Sequence, residues 1–303
     1  MAMQRRTMSD KAFDIINLVL LLMITLVILY PLYFTVIASL SDPYAVVRGE
    51  VLFWIKDFTI EPYKNVFANE EIWTGYYNSI INTVLAVLYN LVITIPAAFV
   101  MSRRNLKGVN LFMGFFVFTM YFSGGMIPSY LLVKDLGLMN TRWALILPIG
   151  FSVYNMIIAR TFFQSTLSEE LFEAARIDGC SVFGTFFKIV LPLSGAIIAV
   201  IALYVAVGHW NSWFSALLYI TDKKLYPLQY ILRSILIQNQ EMNIINTQGM
   251  QNAEMVQYFV RRKYMAEGMK YSLIFISSLP MLIAYPFVQK YFVKGVMIGA
   301  IKG

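Results

Sequence analysis

The residues of this chain that could act on another molecule are few, and most stand in one stretch. Glu169 to Pro192 reads EELFEAARIDGCSVFGTFFKIVLP, a polar break between two strongly apolar runs. Thr166 and Glu169 have the spacing of a capping box, in which a hydroxyl and a carboxylate satisfy free backbone N–H groups, so a helix is expected to begin here. Along it Leu171, Ala174, Ala175 and Asp178 share one side, and Glu169, Glu173 and Arg176 another. Gly179 ends the helix, because a residue without Cβ takes the left-handed turn freely. Phe183, Phe186, Phe187 and Ile189 then restart an apolar face that runs into Leu191 and Pro192. The alanines permit close approach to a partner groove, and the charges around them hold the stretch out of lipid. The chemistry on offer is docking rather than bond-making.

Groups that make or break bonds are scarce elsewhere. The interiors of the apolar runs hold no Asp, Glu, Lys or Arg, the groups with which ion-coupled carriers bind the driving ion at mid-membrane. His209 alone is titratable there, and beside Trp210 it reads as a hydrogen-bonded packing residue. There is no G-x-x-x-x-G-K-[ST] loop to cradle ATP, no metal-ligand cluster and no catalytic triad. Energy is therefore expected from another subunit, and this chain is expected not to be an enzyme.

Two polar sets inside the apolar runs could meet a solute. On the fifth run Tyr204, Gly208, Asn211, Ser215 and Tyr219 fall at i, i+4, i+7, i+11 and i+15, one face of a continuous helix. Rings and amides of this kind offer a sugar a flat surface and partners for its hydroxyls. On the second run Asn78, Asn82, Ala86, Asn90, Thr94 and Ala98 repeat every four residues. Small and amide side chains at that spacing are a helix-packing surface in lipid; Asn82 and Asn90 are the weaker path candidates.

These residues need spanning elements to place them. Of 303 residues 59% are hydrophobic and 14% charged, against about 25% charge in soluble domains; this is an integral membrane protein. The net charge of +7 comes from short clusters beside apolar runs, Arg5-Arg6, Arg103-Arg104-Lys107 and Lys290 to Lys302, which read as membrane-flanking anchors rather than a nucleic-acid surface. The lone Cys180 excludes an intramolecular disulfide. The first apolar run is too long for a signal-peptide core and is expected to stay uncleaved.

Six spans are expected: Ile15 to Ser39, interrupted by Pro31; Tyr76 to Met101; Leu111 to Val133, broken near Gly124-Gly125 and Pro128; Trp143 to Ala159; Ile189 to Tyr219, long enough to need a tilt or bend; and Tyr271 to Gln289. Residues 160–188 form a cytoplasmic loop, 221–268 a polar extracytoplasmic loop, and 290–303 a cytoplasmic tail, with both termini inside. Inner and outer segments carry about as many Lys and Arg as each other, and Arg261-Arg262-Lys263 is a contrary cluster. The side is therefore assigned from the docking stretch.

That stretch resembles the EAA loop of ABC importer permeases. Glu173-Ala174-Ala175, three residues, Gly179, nine residues, then Ile189-Val190-Leu191-Pro192 match its pattern without a gap, and Asp178-Gly179 fits the version common in carbohydrate permeases. Trp210 to Phe214 with Leu217 to Ile220, Met126-Ile127-Pro128, Leu136-Gly137-Leu138, Asn140-Thr141 and Gln289 to Gly295 resemble further segments of binding-protein-dependent sugar permeases. The similarity is to the maltose-type second permeases and, among them, to oligosaccharide permeases of the lipoprotein-dependent kind. Leu167-Ser168 departs from it, where many relatives carry Pro.

The resemblance implies an all-α membrane protein with the type I importer fold and six helices in the plasma membrane. It implies a second permease in a heterodimer, two ATPase subunits that hold ATP and magnesium, an extracytoplasmic solute-binding protein, and a sugar or oligosaccharide as cargo; this chain would bind no cofactor. Glu173, Ala174, Ala175, Asp178, Gly179, Ile189, Leu191 and Pro192 would couple to an ATPase. Closure of the ATPases would draw the coupling helices together and open the path outward, and hydrolysis would reset it. The alternatives are an importer of the same type for another solute, an ion-coupled carrier or channel, and a scaffold without transport.

Overall fold

The computed structural model describes residues 8–103, 105–244 and 253–300, and among these every regular element is a helix. In chain order they are α1 (Met8–Ser39), α2 (Pro43–Val47), α3 (Glu61–Phe67), α4 (Glu70–Ser102), α5 (Val109–Tyr121), α6 (Met126–Asp135), α7 (Trp143–Ile146) and α8 (Val153–Thr166). There follow α9 (Glu169–Ile177), α10 (Val182–Thr185), α11 (Leu191–Leu193), α12 (Gly195–Trp210), α13 (Phe214–Tyr219), α14 (Leu228–Ile244) and α15 (Ala253–Ala300). Arg5, Arg6, Arg104 and Lys302 of the basic clusters lie outside the described residues. Among the described residues three helices are long and apolar enough to cross a membrane alone, and the number reaches six if each of three bent pairs is one span.

The chain forms two compact units. The first comprises residues 1–69 and 235–278. Pro31 lies inside α1 without ending it, so the interruption expected there is absent; lipid offers no water to replace lost helix bonds, and a helix in lipid continues past a proline. From Asp10 to Tyr33 this helix is exposed, an apolar surface suited to lipid rather than water. At its end Ile37, Ala45 and Val51 make a small core. Tyr63 on α3 holds its hydroxyl 2.6 Å from Ser39 Oγ; burial raises its pKa and the bond to Ser39 opposes that rise. Tyr264 packs on Tyr44 and Tyr271 edge-on against Phe34. Gly268 is required for closeness, since a Cβ there would stand 2.6 Å from Pro43 Cγ.

The second unit comprises residues 70–234 and 279–303, with α4 as its axis and α8 and α12 packed along it. Asn78, Asn82, Ala86, Asn90, Thr94 and Ala98 are all buried, because small side chains let the neighbouring backbones approach. None of α5 is buried. The three bent pairs turn at different kinds of residue. The 107° corner between α5 and α6 falls at Gly124-Gly125, with Gly125 at φ +88°. A 53° corner separates Trp143–Ile149 from α8 at Gly150 to Ser152. A 76° corner separates Val182–Leu193 from α12 at Ser194.

The segment read as a polar loop, residues 221–268, contains α14 and the start of α15. Leu228, Ile231 and Leu232 have helical spacing and are buried, a short apolar stripe hidden by the Gln and Asn around it. The expected last span is the middle of α15, whose apolar part is Tyr264–Pro286 and which keeps Pro280 and Pro286 inside the helix.

Candidate functional site

The expected docking stretch is a helix, a glycine turn and a second helix, but it does not start as a capping box. Thr166 is the last residue of α8, and Ser168 takes the N-cap position of α9 without a side-chain bond. The extended backbone at Leu167 and Ser168 separates the two helices, so Thr166, still inside α8, does not hold the N-cap position of α9. Glu169 instead turns to Arg103, and its Oε2 accepts from Nη2 at 3.1 Å.

The end of α9 is closed by its glycine. Asp178 is the C-cap, Gly179 sits at φ +72°, its N–H donates to Arg176 O at 3.1 Å, and Cys180 N–H donates to Ala175 O at 2.8 Å. That pair of bonds is a Schellman closure, which needs the left-handed residue. A Cβ at Gly179 would meet nothing within 4 Å, so the backbone angle and not the space demands glycine. Ser181 then caps α10, its Oγ accepting from Gly184 N–H at 3.1 Å.

Ala175 and Phe172 are buried, whereas Glu173, Ala174 and Asp178 are exposed. The Glu-Ala-Ala triplet is thus divided: its last alanine seats α9 on the body, and the first two residues face out. Beside them stand three apolar side chains with nothing over them, Ile177 at 86% exposure, Val182 at 73% and Phe183 at 78%. Ile177 and Val182 were not singled out in the sequence, where Ile177 stands between Arg176 and Asp178 and Val182 follows Ser181.

Behind this tip α9 is fastened to α4. The Arg103 guanidinium carbon lies 3.6 Å from the centre of the Phe172 ring while pairing with Glu169. Phe99, one turn earlier, touches Phe163, Phe172 and Phe186 with ring centroids 6.4, 6.0 and 5.4 Å away. Arg160 Nε donates to Met101 O at 2.9 Å. In sequence Arg103 reads only as a basic flank; its partners are 66 and 69 residues away.

Ile189, Leu191 and Pro192 do not join the tip. Phe186–Val190 is a π-helical turn, followed by α11. A proline cannot donate to the carbonyl four residues back and its ring crowds that carbonyl, and a widened turn ahead of Pro192 relieves both problems. Val190 is buried, and Ser194 Oγ bonds back to Val190 O at 2.6 Å at the 76° corner. These residues form the joint through which the tip meets α12.

Of the expected solute-facing residues, Tyr204, Gly208 and Asn211 are exposed on or at the end of α12. The common face does not extend further, because α12 ends at Trp210, Asn211 is its C-cap and α13 begins at Phe214. Ser215 is half-buried. Tyr219 is 6% exposed and stacked on Tyr130 with centroids 6.2 Å apart, so it packs. Asn82 and Asn90 are also buried. Asn90 Nδ2 donates to Gly150 O at 2.8 Å and its Oδ1 accepts from Thr94, tying α4 to the 53° corner.

The other end of α4 carries a polar knot. Arg142 donates to Asn78 Oδ1 at 2.7 Å and to Asn82 Oδ1 at 3.1 Å. Asn78 Nδ2 donates to Lys224 O and Tyr226 O. Asn140, at φ +59°, accepts from Thr221 and Asp222. His209 lies in a small cavity with Asn82, Ser79 and Ser212. The Tyr226 hydroxyl sits above its ordinary pKa, through burial first and then through Tyr230 and the Asp222 and Glu71 carboxylates.

Residues 72–298 match the sequence profile of a family described as the binding-protein-dependent transport system inner membrane component. Protein LplC of Bacillus subtilis is 40% identical over 297 residues, covering 98% of this chain and 97% of that protein. The polygalacturonan/rhamnogalacturonan transport system permease protein YtcP of the same organism is 37% identical, covering 98% and 100%. The crystal structure of a bacterial ABC transporter involved in the import of the acidic polysaccharide alginate contains a chain with TM-score 0.82 and 32% identity, covering 96% of this chain and 100% of that one.

Proposed function

The chain belongs to the family of binding-protein-dependent transport system inner membrane components, and from that premise we propose that it is one half of the path of an ABC importer for an oligosaccharide. It is an all-helical membrane permease with the type I importer fold. The names of YtcP and of the alginate importer support a saccharide over other solutes. In this reading a second permease completes the path, two ATPases dock on the cytoplasmic face, and a binding protein delivers cargo from outside.

The observation that carries the reading is the uncovered tip of α9 and α10 on a fastened base. Ile177, Val182 and Phe183 offer apolar area to a groove, with Glu173 and Asp178 at its rim. A push on the tip reaches α4 through Arg103 and the Phe99 cluster, and reaches α12 through Val190 and the Ser194 corner. Since α4 and α12 pack along their length, both move as a pair and carry the Tyr204–Asn211 surface with them.

Arg103→Gln tests the transmission. A half-exposed ion pair and a ring contact are together worth on the order of 1 kcal/mol, so uptake per ATP hydrolysed should fall several-fold while the ATPases remain bound. The ratio is read in proteoliposomes holding the complete importer and its binding protein. An unchanged ratio would remove Arg103 from the transmission route.

A further inference from the structure

Between α2 and α3 of the first unit, residues 51–58 read VLFWIKDF. Leu52, Phe53, Trp54, Ile55 and Phe58 are all exposed, Trp54 at 79% and Phe58 at 68%. A single exposed apolar side chain is ordinary, but a contiguous run of them marks a contact surface.

The segment is built in place from within its own unit. Val51 is buried in the small core with Ile37 and Ala45. Lys56 N–H donates to Ser41 Oγ at 3.1 Å, and Lys56 O accepts from Asp42 N–H at 2.9 Å. Thr59 N–H donates to Leu40 O at 3.0 Å. Two tyrosines of α1 hold the apolar run itself. The Tyr30 hydroxyl donates to Leu52 O at 3.1 Å, the Tyr33 hydroxyl donates to Phe53 O, and the Tyr30 ring lies 5.8 Å from that of Phe53. Tyr30 and Tyr33 come nine and six residues before the end of α1 at Ser39, about 13 and 9 Å along the helix. The segment therefore folds back beside the last turns of α1 instead of leading away from them.

Those bonds point to the surroundings. A loop carbonyl in water finds a partner in the solvent, whereas one beside acyl chains must find it in the protein. The part of α1 that supplies the hydroxyls belongs to the apolar side exposed from Asp10 to Tyr33, so the run continues that surface. A tryptophan and a lysine two residues apart suit the membrane–water boundary, where the ring sits at headgroup level and the ammonium reaches water. Arg48 and Glu50, exposed and paired at 3.1 Å, precede the run as its polar flank.

We infer that residues 51–58 are a membrane-interface anchor. Its occupant is lipid at the boundary of headgroups and acyl chains, and it fixes the depth of α1 in the bilayer.

The test uses the complete importer in phosphatidylcholine nanodiscs, on a Cys180→Ser background. A nitroxide is attached in turn at Arg48→Cys, Trp54→Cys and Phe58→Cys. Its relaxation by oxygen, which concentrates in lipid, is compared with its relaxation by a water-soluble nickel chelate. The oxygen-to-nickel ratio should be several-fold higher at positions 54 and 58 than at 48. Equal ratios at the three positions would put the run in water, and labels at 54 and 58 shielded from both reagents would give the surface to a protein partner; either result overturns the anchor. The native indole checks the same claim without a label. The emission that Trp54→Phe lacks relative to the wild type belongs to Trp54, and lipids brominated near the headgroup end of the acyl chains should quench it. Quenching of that emission by aqueous iodide and not by the brominated lipids would also overturn the assignment.

Discussion

Gly179 and the two amides Asn90 and Asn211 show how single residues divide between structure and action. Gly179→Val has space for its side chain but must hold φ near +72°; the left-handed region costs a side-chain-bearing residue about 1–2 kcal/mol. The Schellman closure should open, and α9 should present Glu173 and Ala174 at a different angle. The permease pair should still assemble, and fewer ATPase subunits should co-purify with it. Gly179→Asn should lose less, because an asparagine tolerates the left-handed turn. Asn90→Ala breaks bonds to Gly150 and Thr94 inside the packed unit and should lower stability by about 1 kcal/mol, read as a reduced melting temperature with uptake per assembled complex preserved. Asn211→Ala should do the reverse: assembly and melting unchanged, uptake slowed several-fold, on the scale of about 1 kcal/mol for one hydrogen bond to a sugar hydroxyl. Equal melting temperatures and equal uptake for the two variants would erase this division.

At the scale of elements, the corners matter more than the helices. Pro192 lies between the widened turn at Phe186–Val190 and the 76° bend at Ser194. Pro192→Ala restores a donor and removes the ring, which allows an ordinary helical ladder from α10 onward. The joint should straighten; ATPase binding should persist and uptake per ATP should fall, as for Arg103→Gln. Retained uptake at the wild-type ratio would show that the bend is not used. The corner at Gly124-Gly125 was legible in its glycine pair, whereas the long fifth run showed only that a tilt or bend was needed and not that it falls at Ser194. The α4 packing face was legible too, since small and amide side chains repeating every four residues form a helix-packing surface in lipid. The break after Trp210 was not, because Asn211-Ser212-Trp213 contains neither Gly nor Pro, and a helical period carried across it put Ser215 and Tyr219 on a face that ends at Asn211. Nor was the Arg103–Phe172 contact, which joins α4 to α9 across two intervening corners and leaves no local pattern. The capping box failed for a different reason: α8 continues through Thr166, and the extended pair Leu167-Ser168 leaves Ser168 as the N-cap of α9.

At the scale of the molecule, the surfaces say what the chain lacks. α1 and α5 expose apolar sides, which suits lipid or another membrane chain. The tip at Ile177, Val182 and Phe183 is apolar yet lies beside Glu173, Arg176 and Asp178, a composition for a protein groove rather than for lipid. We propose that this tip is where an ATPase docks and delivers its motion. The most direct measurement is co-purification of the ATPase subunits with the permease pair carrying Ile177→Asp and Phe183→Asp, alongside ATP hydrolysis stimulated by the binding protein. Both substitutions are on exposed side chains, so the pair should assemble as the wild type does. The ATPases should be lost from the complex, and stimulation should disappear with them. ATPases retained in full amounts, with hydrolysis still stimulated to the wild-type level, would contradict it.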